Sequence, residues 1–180
     1  MKIGIISDTH DDIENVQEAI KIFNKEKVGF VIHAGDYIFS GVTKEFSTLE
    51  SKLIGVFGNN DAERVEILKD FLEINGDLKD EIGEIEIDGI KFGIYHGTDI
   101  EIKQFLINSK KYDILICGHT HIREPQQSSG VIKDNQETFV LNPGPAHRKT
   151  KSVSGLFNDI GRIILFDTKS KRYEFVDLSK

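Results

Sequence analysis

The sequence predicts an α/β protein, with strands alternating with helices in its first half and hairpins added in its second. Three observations carry this. Short apolar runs such as Ile3 to Ile6 and Leu53 to Phe57 have the composition of strands buried on both faces. The segments between them repeat apolar residues at helical spacing, as in Ile13, Val16, Ile20 and Phe23. After residue 80 the period changes to two, in Glu84-Ile85-Glu86-Ile87, and the turn dipeptide Asp88-Gly89 follows.

At 180 residues, 38% of them hydrophobic and 29% charged, the chain is expected to form a single domain spanning residues 1–180. The formal net charge of −7 repels phosphate backbones and disfavours a long nucleic acid as partner. Cys117 is the only cysteine, so no internal disulfide can form and a cytoplasmic setting is expected. No apolar run approaches the ~20 residues of a membrane helix.

Taken in order, Lys2 to Ser7 reads as a strand broken by Asp8-Thr9-His10-Asp11-Asp12. A helix follows from about residue 12, with Asp11 and Glu14 shaped as its start. Val28 to His33 is the second strand and ends in Ala34-Gly35-Asp36; a weak helix spans about 40 to 48. Lys52 to Phe57 is the third strand. It ends in Gly58-Asn59-Asn60-Asp61, with Asp61 expected to cap a helix that buries Val65, Leu68 and Leu72. The hairpin around Asp88-Gly89 leads to His96-Gly97-Thr98, where Thr98 and Glu101 suggest a capping box for a helix over about 99–109. Tyr112 to Ile116 is a strand ending in Cys117-Gly118-His119-Thr120-His121. If that end is extended, both imidazoles face one side. Beyond it the pattern predicts a hairpin of residues 124–128 and 138–141, the rigid turn Asn142-Pro143-Gly144-Pro145, a basic loop from His147 to Lys151, and a last hairpin of 162–166 with 173–176.

In an α/β sheet ligands bind at the carboxyl ends of strands. Here those ends deliver Asp8 and His10, Asp36, Asn59, His96, then His119 and His121. Each alone is more often a turn or cap residue; five strand ends all breaking on metal-capable side chains point to a metal site. Two carboxylates with four imidazoles favour Mn, Fe, Ni, Co or Zn over Mg. His33 lies inside its strand and reads as a core or supporting residue, and Cys117 as a small buried apolar one.

Asp8-x-His10, Gly35-Asp36, Gly58-Asn59, His96-Gly97 and Gly118-His119-x-His121, with Asn142-Pro143-Gly144, resemble in order and spacing the calcineurin-like metallophosphoesterases, above all their small single-domain prokaryotic phosphodiesterases. The resemblance implies a four-layer α/β/β/α sandwich and a dinuclear centre. Asp8, His10, Asp36 and His121 would hold one cation, and Asp36, Asn59, His96 and His119 the other, with Asp36 bridging. Two divalent transition-metal ions are expected, Mn2+ first and Ni2+, Fe2+, Co2+ or Zn2+ as alternatives. Such a pair shares a water, lowers its pKa and aims it at phosphorus. The expected function is therefore hydrolysis of a small or nucleotide-like phosphodiester. A phosphomonoesterase or nucleotide phosphatase is the alternative within enzymes, and a non-catalytic metal-binding scaffold of the same fold the alternative outside them. Asn60 stands where many members of the family carry histidine, and an amide cannot protonate a leaving group. Asn60 and Arg148 are the expected phosphate contacts. The small-molecule substrate is the expected partner, with a homodimer as a candidate assembly.

Overall fold

The computed structural model describes residues 1–133, 137–147 and 160–178. The elements are β1 (Lys2–Ile6), α1 (Ile13–Glu26), β2 (Phe30–His33), α2 (Ser40–Glu45) with a following 3-10 turn (Phe46–Thr48), β3 (Lys52–Gly55), α3 (Arg64–Glu73) and β4 (Asp77–Leu78). There follow β5 (Ile82–Ile87), β6 (Ile90–Tyr95), α4 (Ile100–Asn108), β7 (Ile114–Ile116), β8 (Ser129–Val131), β9 (Phe139–Leu141), β10 (Arg162–Asp167) and β11 (Arg172–Asp177). Among the described residues no helix is long and apolar enough to cross a membrane.

Two mixed sheets face each other. The larger has the order β4-β3-β2-β1-β10-β11-β8 and the smaller β5-β6-β7-β9. Within the first, β1 to β4 run parallel; within the second, β6, β7 and β9 do. The runs that read as buried strands are those sandwiched on both faces. Ile3, Ile5, Ile32 and Ile54 meet Phe92, Ile94, Ile114 and Leu141 between the sheets. The opposite face of the larger sheet, with Ile6, Val31 and Leu53, packs on Val16, Ala19 and Phe23 of α1 and Ile67 and Phe71 of α3. Leu106 of α4 covers the outer face of the smaller sheet with Tyr95, Tyr112, Leu115 and Cys117. The expected four layers are therefore present, and each large side chain buried in them contributes about 1.5–3 kcal/mol.

Local expectations fail where two solutions compete. α3 buries Ile67, Asp70 and Phe71, while Val65, Leu68 and Leu72 are exposed. The helix carries two apolar stripes, and only packing on the sheet selects between them. The expected hairpin of 124–128 with 138–141 does not form. β8 pairs with β11 in the larger sheet, β9 pairs with β7 in the smaller one, and only an isolated bridge joins Glu124 to Asn142. Alternation marks a strand but not its partner, and burial of Leu141 between the sheets draws β9 to β7. The caps also move. Asp12 caps α1 by accepting from Asn15 N, and Asp99 caps α4 by accepting from Glu101 N and Ile102 N, so neither Asp11 nor Thr98 does so.

Candidate metal centre

The parallel strands of both sheets end on one side of the molecule, so β1, β2, β3, β6 and β7 bring their following loops together. Close packing there depends on small residues. A Cβ on Gly118 would collide with Ser7 and Asp8, and one on Gly58 with Asp36. The backbone departs from what the sequence suggests: Asp8, His10, Asp36, His119 and His121 all have positive φ, between 43° and 67°. The two histidines of the His-x-His are therefore not extended. Each left-handed residue costs roughly 1–3 kcal/mol and persists only where its surroundings over-determine it. Here the surroundings are backbone bonds between strand ends, such as Asp8 N to Gly35 O (3.0 Å), His10 N to Asp36 O (3.2 Å) and Gly118 N to His96 O (2.8 Å).

Two buried carboxylates form the centre. Asp36 Oδ2 lies 3.4 Å from His10 Nε2 and 3.3 Å from His96 Nε2. Asp8 Oδ1 lies 3.3 Å from His121 Nε2, 3.8 Å from His10 Nε2 and 3.9 Å from His96 Nε2. Asp8 also accepts from Ser7 Oγ (2.7 Å) and from the backbone N of His119 (3.2 Å). The His119 ring sits 5.3 Å from that of His96. Asn59 is exposed at the rim, where its Oδ1 accepts from Thr98 Oγ1 at 3.2 Å. Asn60 lies over Asp36, donating its backbone N–H to Oδ1 (2.9 Å) and its amide to Oδ2 (2.7 Å). Arg148 lies outside the described residues.

These residues fit divalent cations on structural grounds. His10 Nε2 and His96 Nε2 are buried with no hydrogen-bond partner. The Nδ1 of His96 donates to the Ala34 carbonyl (2.7 Å), which leaves Nε2 as the coordinating atom. One ligand atom each from Asp8, His10 and Asp36 falls within 4.8 Å of the others. The electrostatics agree. Burial opposes charge on Asp8 and Asp36, but the imidazoles of His10, His96 and His121 facing them outweigh it and hold both well below the usual carboxylate range. Burial also opposes charge on His10, yet Asp36 and Asp8 raise it to about 9, and they raise His96 as well. The two ionised carboxylates thus favour positive charge on the rings facing them, and a divalent cation would supply the same compensation.

Asp61 and His147 carry roles that local sequence does not reveal, whereas His33 fills the supporting role its position suggests. Asp61 is not a helix cap. It is buried and accepts backbone N–H bonds from Tyr37 (2.6 Å), Ile38 (2.9 Å), Gly58 (2.6 Å) and Asp36 (3.2 Å), tying the β2 loop to the β3 loop. His33 is a supporting core residue, stacked on Tyr37 at 3.8 Å. Its Nδ1 accepts from Gly35 N and its Nε2 meets Thr9 Oγ1, and burial pushes its pKa down to about 3, so it stays neutral. His147 is buried against His10 and His121, with rings 4.3 Å and 5.0 Å apart. A polar loop after a proline turn gives no local signal of that. Asp61→Ala is expected to lower stability by about 3 kcal/mol or more, since it leaves several buried N–H groups without an acceptor. Urea unfolding measures this, and a loss under about 1 kcal/mol would contradict the tie between the loops.

A concavity of about 660 Å3 opens beside Gly89, Ile90, Tyr112 and Phe166, and none of the candidate ligand side chains lines it.

Comparison with known proteins agrees with this fold. The profile of the calcineurin-like phosphoesterase superfamily domain matches residues 1–169. A phosphodiesterase of Methanocaldococcus jannaschii is 40% identical over 181 residues, covering 99% of each chain. A solved structure described as a novel archaeal phosphodiesterase is 38% identical, with a TM-score of 0.83 over 99% of this chain and 100% of that one. A phosphoesterase of E. coli (17% identical) and a Vps29 of Entamoeba histolytica (22% identical) share the fold, each with a TM-score of 0.63 over 99% of this chain and 100% of the other.

Proposed function

This chain belongs to the calcineurin-like phosphoesterase superfamily, and on that premise we propose that it is a metal-dependent phosphodiesterase acting on a small or nucleotide-like diester. The observation that carries the reading is the pair of buried, partnerless imidazole nitrogens of His10 and His96, both facing the carboxylate of Asp36. One cation is assigned to Asp8, His10, Asp36 and His121, and a second to Asp36, Asn59, His96 and His119. The imidazole-rich set favours Mn2+, Ni2+, Fe2+, Co2+ or Zn2+ over Mg2+, and we place Mn2+ first. When bound, divalent cations supply Lewis acidity, making water nucleophilic near neutral pH and neutralising phosphoryl oxygens.

The chain's own residues orient and exclude. The Ala34 carbonyl fixes the His96 ring, while Ser7 and the His119 N–H hold the Asp8 carboxylate. Asn60 fixes both oxygens of Asp36 and leaves its amide at the exposed mouth, where it can turn toward a phosphoryl oxygen. Among the described residues, neither the Ser7 hydroxyl nor the Cys117 thiol is free to act as a nucleophile. The Ser7 hydroxyl donates to Asp8, and burial pushes the Cys117 thiol up to about 12. Attack is therefore left to water. A cytoplasmic setting belongs to the same proposal, supported by the single free thiol.

The test is hydrolysis of bis(p-nitrophenyl) phosphate and p-nitrophenyl phosphate by metal-stripped protein across a panel of divalent cations. Cation-dependent turnover favouring the diester about tenfold or more is expected. A faster monoester reaction would point to a phosphomonoesterase, and no hydrolysis with any cation would favour a scaffold of the same fold.

A further inference from the structure

The sequence assigns His147 to a basic loop with no stated role, but the fold carries it to the centre. Among the described residues, the segment after Asn142 is pinned against the end of β1. Ala146 N donates to Ser7 O (2.9 Å), His147 N to Asp8 O (3.3 Å), and the buried Asn15 of α1 donates its amide to Ala146 O (2.7 Å). The backbone at 147 is therefore held in place before any ligand arrives. Its side chain is 7% exposed, and one ring nitrogen each from His10, His121 and His147 falls within 4.8 Å of the others.

The His147 ring is also oriented as a ligand would be. A carbonyl only accepts, so the bond from His147 Nδ1 to Asp8 O (2.8 Å) fixes the proton on Nδ1 and leaves Nε2 as the free lone pair. His96 has the same arrangement, with Nδ1 on the Ala34 carbonyl and Nε2 turned to the carboxylates. We propose that His147 is a further metal ligand, placing a third imidazole on the cation assigned to Asp8, His10, Asp36 and His121. The inference rests on the metal-centre reading above and deepens it. A third imidazole moves that position toward borderline-soft ions such as Co2+, Ni2+ and Zn2+ and away from oxygen-preferring Mg2+.

The test is proton NMR of the full chain loaded with Co2+, in which each coordinated imidazole gives one exchangeable, contact-shifted ring N–H. His147→Gln is expected to remove one such signal from the wild-type set and to weaken Co2+ binding at one position about tenfold or more. An identical set of shifted signals in both proteins overturns the proposal. In the fully loaded wild type alone, five shifted N–H signals agree with it and four overturn it, so a variant that fails to fold still leaves the question decided. Absence of Co2+ binding would overturn the metal-centre reading together with this one, whereas binding without a His147 signal overturns this one only.

Discussion

Asp36→Ala is expected to reduce turnover to about a thousandth of wild type or less, equivalent to about 4 kcal/mol of transition-state stabilisation. It is also expected to lose at least one cation. Asp36 Oδ2 lies almost equally far from His10 and His96, one assigned to each cation position, so its removal takes a ligand from both. Asp8 also approaches both rings, at 3.8 Å and 3.9 Å, and is the closer partner of His121. Replacing Asp8 or His121 should accordingly weaken mainly the first position. Asp36→Asn separates chemistry from folding: an amide oxygen can still accept from Asn60 N, but the charge is gone. Both variants are read by turnover and by metal content after reconstitution. Near-normal turnover with two cations bound in Asp36→Ala would show that Asp36 does not bridge.

Asn60→His is expected to flatten the dependence of turnover on leaving-group pKa and to speed esters with poor leaving groups by about 10²-fold. Positioned proton transfer contributes about 10²–10⁴-fold, and an alkoxide needs it where a nitrophenolate does not. The amide of Asn60 lies over Asp36 and has no proton to give at neutral pH. The backbone bond from residue 60 to Asp36 survives the substitution, so the carboxylate should keep its place while an imidazole enters at the mouth. Turnover across a series of substituted phenyl diesters measures the slope for each protein. Equal slopes would mean that another group already protonates the leaving oxygen.

The chain's own pattern of residues marks the candidate ligands and the strands that carry them. Apolar runs mark strands buried on both faces, and each breaks on a carboxylate, an imidazole or an amide, so Asp8, His10, Asp36, Asn59, His96, His119 and His121 are legible as candidates without coordinates. The turn at Asp88-Gly89 is legible for the same reason: both residues need positive φ, which that dipeptide tolerates, and both have it. Only the tertiary structure decided which stripe of α3 is buried, which sheet receives β9, and that Asp61 binds loop amides rather than a helix end. Each of these offers two locally equivalent solutions, and the choice is made by contact with a remote segment. The extreme case is His147, joined to Asp8 by a hydrogen bond across 139 residues. Periodicity is a property of neighbours along the chain, whereas the companions of a buried polar group are set by where two sheets bring their strand ends together.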